Sequence, residues 1–316
     1  MSTLTARELK IRERKKLLRR IGRNWELYLY LLPAVLVLFL FSYLPMYGVQ
    51  IAFKEFKSFK GIEGSDWVGF KHFVRFMGLN SFPKLMRNTI IISVYSLLAG
   101  FPLPIVLALA LNTCESDKFK KFTQTITYAP HFISTVILVG MINLMFAPSN
   151  GIFAVMLRSV GLLKGNLNTL MQEGAFRHLY VWSTVWSGLG WNSIVYLSAL
   201  SGVDPSLHEA AIVDGANKLQ RCRHIDLPCI APTIVMLLIL RLGGVMDVGF
   251  QKAYLMQNSM NINVSEVLST FVYKTGIKEA QYSYAASVDL FNSLINFFLL
   301  VSVNWISRKV SETSLW

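Results

Sequence analysis

Residues 204–232 read DPSLHEAAIVDGANKLQRCRHIDLPCIAP, a polar and basic stretch that lies between two long apolar segments. Asp204 and the proline after it predict a helix start, because aspartate caps free amides and proline suits the first helical position. Gly215 interrupts this helix, and the helix formers at 217–225 predict a second short helix that ends before Pro228. The stretch is therefore expected to offer two short helices, joined at a glycine, to a partner in the aqueous phase.

The composition places the chain in a bilayer. Of its 316 residues, 53% are hydrophobic and 16% are charged, which is far more apolar than an average soluble domain. The net charge of +13 is concentrated beside apolar runs, as the positive-inside rule predicts, so nucleic-acid binding is the weaker interpretation. The sequence shows no clustered nucleophile and base, no metal-ligand spacing and no phosphate-binding loop, so we predict no catalytic residues and no metal.

Six apolar runs predict six transmembrane helices, and hence an all-α membrane protein. These runs are 27–51, 89–111, 126–146, 180–200, 233–248 and 285–306. The second is expected to be kinked, because a glycine and two prolines interrupt it. We divide the chain into a basic cytoplasmic segment (1–25), a transmembrane domain (26–309) and a cytoplasmic tail (310–316), with both termini inside and lipid around the spans. Residues 54–87 are expected outside, with an amphipathic helix at 67–76.

Polar and aromatic residues within the predicted spans mark a candidate path for a solute. They recur at spacings of three and four in the fourth and sixth spans, which puts members of each group on a shared helix face. The candidates are Trp182, Trp186, Asn192, Tyr196, Asp289, Asn292 and Asn296. Amides, carboxylates and aromatic rings suit the hydroxyls and C–H faces of sugars, but helix packing is an equally open use of such residues.

Two charges lie within or near the fifth predicted span. Arg241 and Asp247 are six residues apart, so they fall on different faces of a helix and are expected to have different partners. A structural charge pair and a contact with substrate both remain open for them.

The 204–232 segment resembles the EAA loop of ABC-importer permeases. The matching residues are Glu209-Ala210-Ala211, Asp214-Gly215-Ala216, Ile225, Leu227-Pro228 and Pro232. A chance match of an ordinary loop to so long a spaced pattern is the weaker interpretation. The resemblance implies a coupling helix that sits in a cleft of the ATP-binding subunit and passes its closure to the transmembrane helices. The implied coupling residues are Glu209, Ala210, Ala211, Asp214, Gly215, Ala216, Leu227 and Pro228. Cys222 stands where the family usually has an aromatic residue, so anchoring of the second helix is expected to differ.

Over almost its full length, the chain is similar to the LplB-type polysaccharide permeases, a branch of the carbohydrate importers. This similarity is carried by the element at 67–76, by Asn88-Thr89, and by the end of the chain with Arg308-Lys309 and Ser314-Leu315-Trp316. It implies the type I (MetI-like) architecture of six spans in a bacterial plasma membrane.

The resemblance also implies an assembly. Its parts would be a second homologous permease, two ATP-binding subunits that hold ATP and Mg²⁺, and an extracellular solute-binding protein. This chain would then be no enzyme and would bind no cofactor, and an oligosaccharide or polysaccharide fragment would be imported. The alternative is a self-sufficient secondary transporter or channel, which typically has inverted repeats and needs its own ion-coupling sites, and neither is visible in the sequence.

Overall fold

The computed structural model describes residues 20, 22–162 and 173–311, with side chains described up to residue 309. The chain divides into two compact units, Met1–Val68 and Gly69–Trp316. The basic segment predicted at 1–25 lies mostly outside the described residues, and so does most of the predicted tail.

The first unit contains a long apolar helix. It begins as α1 (Trp25–Leu38) and stays helical through Phe39–Tyr43, Leu44–Met46 and Tyr47–Phe53. No residue of α1 is buried, and its leucines and aromatic residues are exposed all round. A helix that is apolar on every face needs lipid or a partner around it. The first predicted span is therefore confirmed as a long apolar helix.

A small hairpin follows this helix and was not predicted. Strands β1 (Lys54–Lys57) and β2 (Gly61–Trp67) pair antiparallel. Gly61 lies in the turn with a φ of 68°, a conformation that side chains rarely adopt. The strands are short and their sequence does not alternate regularly, so the pattern gave no strand signal.

The regular structure described for the second unit is helical. In chain order its helices are α2 (Lys71–Met77), α3 (Phe82–Gly100), α4 (Pro102–Asn112), α5 (Asp117–Tyr128), α6 (Thr135–Met145), α7 (Ile152–Ser159), α8 (Glu173–Leu200), α9 (Pro205–Val213), α10 (Lys218–Arg221), α11 (Leu227–Leu242), α12 (Phe250–Met256), α13 (Ile262–Ser265), α14 (Leu268–Tyr273) and α15 (Tyr282–Ser311). A 3₁₀ turn at Ala129–Phe132 extends α5, and π-helical turns at Cys222–Asp226 and Lys274–Lys278 follow α10 and α14.

Four helical segments in the described part are long and apolar enough to cross a membrane. They are Trp25–Phe53, Phe82–Asn112, Lys218–Leu242 and Tyr282–Lys309. A fifth is possible if the bent pair Asp117–Phe132 and Thr135–Met145 forms one span. The fourth predicted span lies within α8, which has 28 residues but is too polar to be counted with the others. Six spans therefore remain a prediction.

Outside the 204–232 segment, three predicted helices have boundaries that are wrong. The third span is not one helix, because the chain bends by 98° between Phe132 and Thr135, where the Ser134 side chain caps a new helix. The fifth ends at Leu242 rather than at residue 248, because two glycines follow. Only residues 71–76 of the helix expected at 67–76 are helical, as part of α2 (Lys71–Met77), since the preceding residues belong to the hairpin and its exit turn.

Helix α8 lies at the centre of the second unit and packs against α3, α4, α5, α11 and α13. Val181 and Val185 join it to one apolar cluster, and Tyr196 and Leu200 join it to another. Gly190 is buried where α8 passes the backbone of α5, and small residues of this kind let two helices approach closely. Because α8 runs into the 204–232 segment, its packing sets where that segment begins.

Candidate functional site

Local hydrogen bonds fix both ends of α9 in the 204–232 segment. The Asp204 carboxylate accepts from the amide of Ser206 at 2.9 Å, which lowers the pKa of Asp204. At the other end, Gly215 has a φ of 78°, and the amides of Gly215 and Ala216 donate to the carbonyls of Ile212 and Ala211. This pair of bonds is a Schellman motif, which ends a helix at a glycine. The helix start and the glycine joint are therefore confirmed.

The second helix of the segment begins as predicted but does not end before Pro228. Asn217 and Gln220 form a capping box at the start of α10. The chain then stays helical from Lys218 to Leu242. A π-helical turn at Cys222–Asp226 lies just before Pro228, and the wider turn accommodates a residue that cannot donate a helical hydrogen bond. The segment is thus one short helix joined to the end of a long one.

The surface of the 204–232 segment is open. None of the eight predicted coupling residues is buried; Ala211 and Ala216 are half-buried, and the other six are exposed. Three large apolar side chains of α9 are also exposed, Leu207 at 47%, Ile212 at 54% and Val213 at 87%. A hollow of about 330 Å³ lies in the angle between α9 and α10, and Asp214, Gly215 and Ala216 are part of its lining. An uncovered apolar helix face beside a hollow is typical of a docking surface.

A buried carboxylate connects α9 to two other helices. Asp226 is 1% exposed, and its Oδ1 lies 3.2 Å from His208 Nε2 on α9. The Asn112 amide, at the end of α4, donates to the same oxygen at 3.3 Å. His208 thus contacts a buried carboxylate although it lies on an exposed helix. The three residues form one node that joins α9 to α4 and to the long helix.

A second, exposed link joins the start of α10 to the loop between α4 and α5. Lys218 Nζ lies 2.6 Å from Glu115 Oε1, and this contact lowers the pKa of Glu115. Because both groups are more than half exposed, the pair contributes little to stability.

Two of the clefts between the helices of the second unit share part of their lining, and we call them the large and the small cleft. The large cleft has a volume of about 510 Å³ and polar walls that include Ser93, Thr184 and Asp247. The small cleft has about 350 Å³ and is lined by Trp191, Asn192 and Tyr196 among others. Leu240 and Arg241 line both clefts. Arg241 therefore stands where the two clefts meet.

The seven candidate path residues separate into four groups. Asn192 and Tyr196 line the small cleft. Trp182 and Trp186 are exposed at 51% and 47% and line neither of the two clefts. Asp289 is exposed on α15 and likewise lines neither. The remaining two, both asparagines of α15, are buried.

The buried asparagines hold a carboxylate of the large cleft. Asn292 and Asn296 each donate to Asp247 Oδ1 at 3.0 Å, and Asn296 also accepts from the amide of Met246. Arg241 and Asp247 were expected on different faces of one helix, but both line the large cleft, because α11 ends at Leu242 and Asp247 lies beyond it. The two asparagines are thus positioning residues for Asp247, whose exposed side faces the cleft.

Three cleft residues were missed by the pattern analysis. The His131 ring, in the large cleft, stacks on Trp191 with centroids 4.3 Å apart. Lys252 is 8% exposed, and its Nζ donates to the Tyr180 carbonyl and to Thr184 Oγ1. Helical spacing could have identified Trp191 as a cleft residue. It lies five residues after Trp186, on the opposite face of α8, and one residue before the candidate Asn192. His131 and Lys252 follow helix breaks and carry no periodic signal.

Comparisons with known proteins agree with this architecture. A family model described as binding-protein-dependent transport system inner membrane component matches residues 100–312. The polygalacturonan/rhamnogalacturonan transport system permease protein YteP of Bacillus subtilis (strain 168) is 40% identical over 304 residues, which are 96% of this chain and 94% of that protein. Protein LplB of the same organism is 39% identical over 296 residues, with 94% and 92% covered.

Similar chains are present in solved structures. A crystal structure of a bacterial ABC transporter involved in the import of the acidic polysaccharide alginate contains a chain with a TM-score of 0.85 and 38% identity, covering 94% of this chain and 99% of that one. The alginate transporter in complex with an alginate pentasaccharide-bound periplasmic protein gives a TM-score of 0.86 at 38% identity, with 95% and 100% covered.

The family model covers more than half of the chain, and relatives near 40% identity span almost all of it. The chain therefore belongs to the family of binding-protein-dependent transport system inner membrane components, and it is a permease subunit of an ABC importer rather than an enzyme, with ATP hydrolysis on a separate subunit.

Proposed function

We propose that this chain forms half of the translocation path of an importer for oligosaccharides or polysaccharide fragments, and that its 204–232 segment couples that path to the ATPase. The relatives that carry polygalacturonan or alginate support the substrate class. The observation that carries the coupling role is the open face of α9, with Ile212 and Val213 exposed although both are apolar. Covering such a face with a partner subunit removes apolar surface from water.

The node around Asp226 supports transmission of movement from this face. A push on α9 would reach α4 through His208 and Asn112, and would reach the long helix through Asp226 itself. In this proposal Glu209 makes a polar contact with the ATP-binding subunit, Ala210 permits close approach, and Gly215 allows the bend between α9 and α10.

The assembly that we propose has five or more chains. This permease pairs with a second, homologous permease, two ATP-binding subunits supply ATP and Mg²⁺, and an extracellular binding protein delivers the glycan. The alginate transporter crystallised with its periplasmic protein supports the last partner. Six spans follow if α8 and the bent pair α5–α6 each cross the membrane, which would leave both termini in the cytoplasm.

Charge reversal at Glu209 tests the coupling role. Because Glu209 is exposed, Glu209→Lys should leave the subunits assembled but should lower the amount of oligosaccharide imported per ATP hydrolysed in proteoliposomes. Glu279→Lys is the matched control, since it reverses another exposed carboxylate outside the 204–232 segment, and its transport should equal wild type. Wild-type transport in Glu209→Lys would refute the role assigned to this residue.

Co-purification tests the class of transporter. A tagged copy of this chain extracted in mild detergent should retain a second permease and an ATP-binding subunit. A secondary transporter or channel would be purified without an ATPase and would transport without ATP.

A further inference from the structure

Arg241 is a cation in a membrane segment and has no ion-pair partner among the described residues; its electrostatic contacts there include the Tyr180 and Tyr196 side chains. It lies in the last turn of α11, inside the apolar segment Lys218–Leu242. Within residues 22–162 and 173–309, its guanidinium makes no hydrogen bond or ion pair. A charged side chain at membrane depth is expensive, so one without a partner indicates a binding role.

The position of Arg241 suits a ligand that passes between the two clefts, because it lines both. The other charged residues lining the large cleft are Lys252 and Asp247. Lys252 Nζ is buried and already donates to two oxygens of α8. Asp247 is held through Oδ1 by two asparagine amides. Two basic residues therefore line the cleft with one carboxylate, and Arg241 is the one that donates no hydrogen bond to a described residue.

We propose that this site binds a uronic acid unit of the glycan, with the carboxylate on Arg241 and a sugar hydroxyl on Asp247. This inference rests on the proposed function. The guanidinium offers a planar fork of donors that matches a carboxylate with two hydrogen bonds. The Asp247 carboxylate, oriented from one side, can accept from a hydroxyl with its other oxygen. A neutral sugar would leave the charge of Arg241 without a counterion, which is unfavourable away from bulk water.

The test uses the complete importer with its binding protein in proteoliposomes, and two substrates with one skeleton. Trigalacturonate carries carboxylates, and its methyl ester carries none. Arg241→Gln should lower uptake of the acid roughly 10- to 100-fold, the loss expected for a hydrogen bond to a charged group, and should not lower uptake of the ester, which has no carboxylate for the guanidinium to bind. Arg241→Lys should fall between, because it keeps the charge without the fork.

Asp247→Asn supplies the matched control. Because a hydroxyl is present in both substrates, this variant should lower uptake of acid and ester to the same extent. If Arg241→Gln lowers both substrates equally, Arg241 serves assembly or pairs with an acid of the second permease, and the inference is overturned. A wild-type importer that carries neutral oligosaccharides and rejects uronates also overturns it, although the proposed function stands. A wild-type importer that no oligosaccharide stimulates would contradict the proposed function itself.

Discussion

The close crossing of α5 and α8 makes Gly190→Ala a severe test of the packing described above. A methyl group on Gly190 would overlap the carbonyl of Thr127 and would lie 2.7 Å from Cδ1 of Tyr128. Ordinary contact begins at 3.4 Å, so the ring must retreat by at least the difference of 0.7 Å, and the backbone of α5 must move with it. Overpacking of this kind costs about 1–3 kcal/mol.

The expected result is a less stable importer. At roughly 2–4 °C per kcal/mol for chains of this size, the variant should melt about 2–12 °C below wild type. The assay is thermal unfolding of the purified importer in detergent. Gly174→Ala is the control on the same helix, because a methyl group there meets nothing within 4 Å and alanine favours helix. If Gly190→Ala has the same melting temperature as Gly174→Ala and wild type, the two helices do not cross as closely as described.

Three further changes have distinct expected outcomes. Asp226→Ala removes the acceptor shared by His208 and a neighbouring side-chain amide, so it should lower the free energy of unfolding by about 1–3 kcal/mol and reduce the amount of oligosaccharide imported per ATP. His208→Ala should lower the free energy of unfolding by less. Equal losses of melting temperature in the two variants would contradict the contacts described around Asp226. Asn296→Ala should lower the melting temperature more than Asn292→Ala, because Asn296 also accepts from a backbone amide; the reverse order would contradict these contacts. The pKa of Asp204 is lowered, so its stabilising contribution is present above the unfolded pKa and is lost only as pH falls through the lowered folded value. Near neutral pH, the pH dependence of transport should therefore be the same in wild type and in Asp204→Asn. A titration of transport in the neutral range that Asp204→Asn removes would contradict the lowered pKa.

The parts of the fold that sequence predicted correctly depend on local chemistry. Asp204 with its following proline, and Gly215, each act within one helical turn, so the start and end of α9 follow from their own residues. The long apolar runs at 27–51 and 285–306 are equally local signals and are confirmed as helices. The second predicted span is interrupted at Phe101, between α3 and α4, next to the glycine and prolines that the sequence marked.

Errors arose where two local signals competed. Pro228 should end a helix, but the π-helical turn before it keeps the chain helical. In the third span, apolarity suggested one continuous helix, whereas Ser134 had the residue type of a helix cap and starts a new one. A hydrophobic run is thus a weaker guide to helix boundaries than the capping residues inside it.

The candidate path could be predicted only in part, because clefts form between segments that are distant in the chain. The faces of α8 were readable from residue spacing, and this placed Asn192 and Tyr196 together. Spacing could not show that Asp247 would meet Asn292 and Asn296 on α15, about 45 residues later. Such contacts depend on how helices pack, which one helix does not encode.

Cross-linking from α9 tests the central claim most directly. After replacement of the three native cysteines by serine, Val213→Cys places a thiol where the side chain is 87% exposed. In membrane vesicles that hold the whole importer, this thiol should cross-link to the ATP-binding subunit, with a yield that changes between nucleotide-free and ATP-bound states, and it should resist impermeant thiol reagents added outside. Labelling from the outer side, or no cross-link to the ATP-binding subunit in either state, would contradict the account.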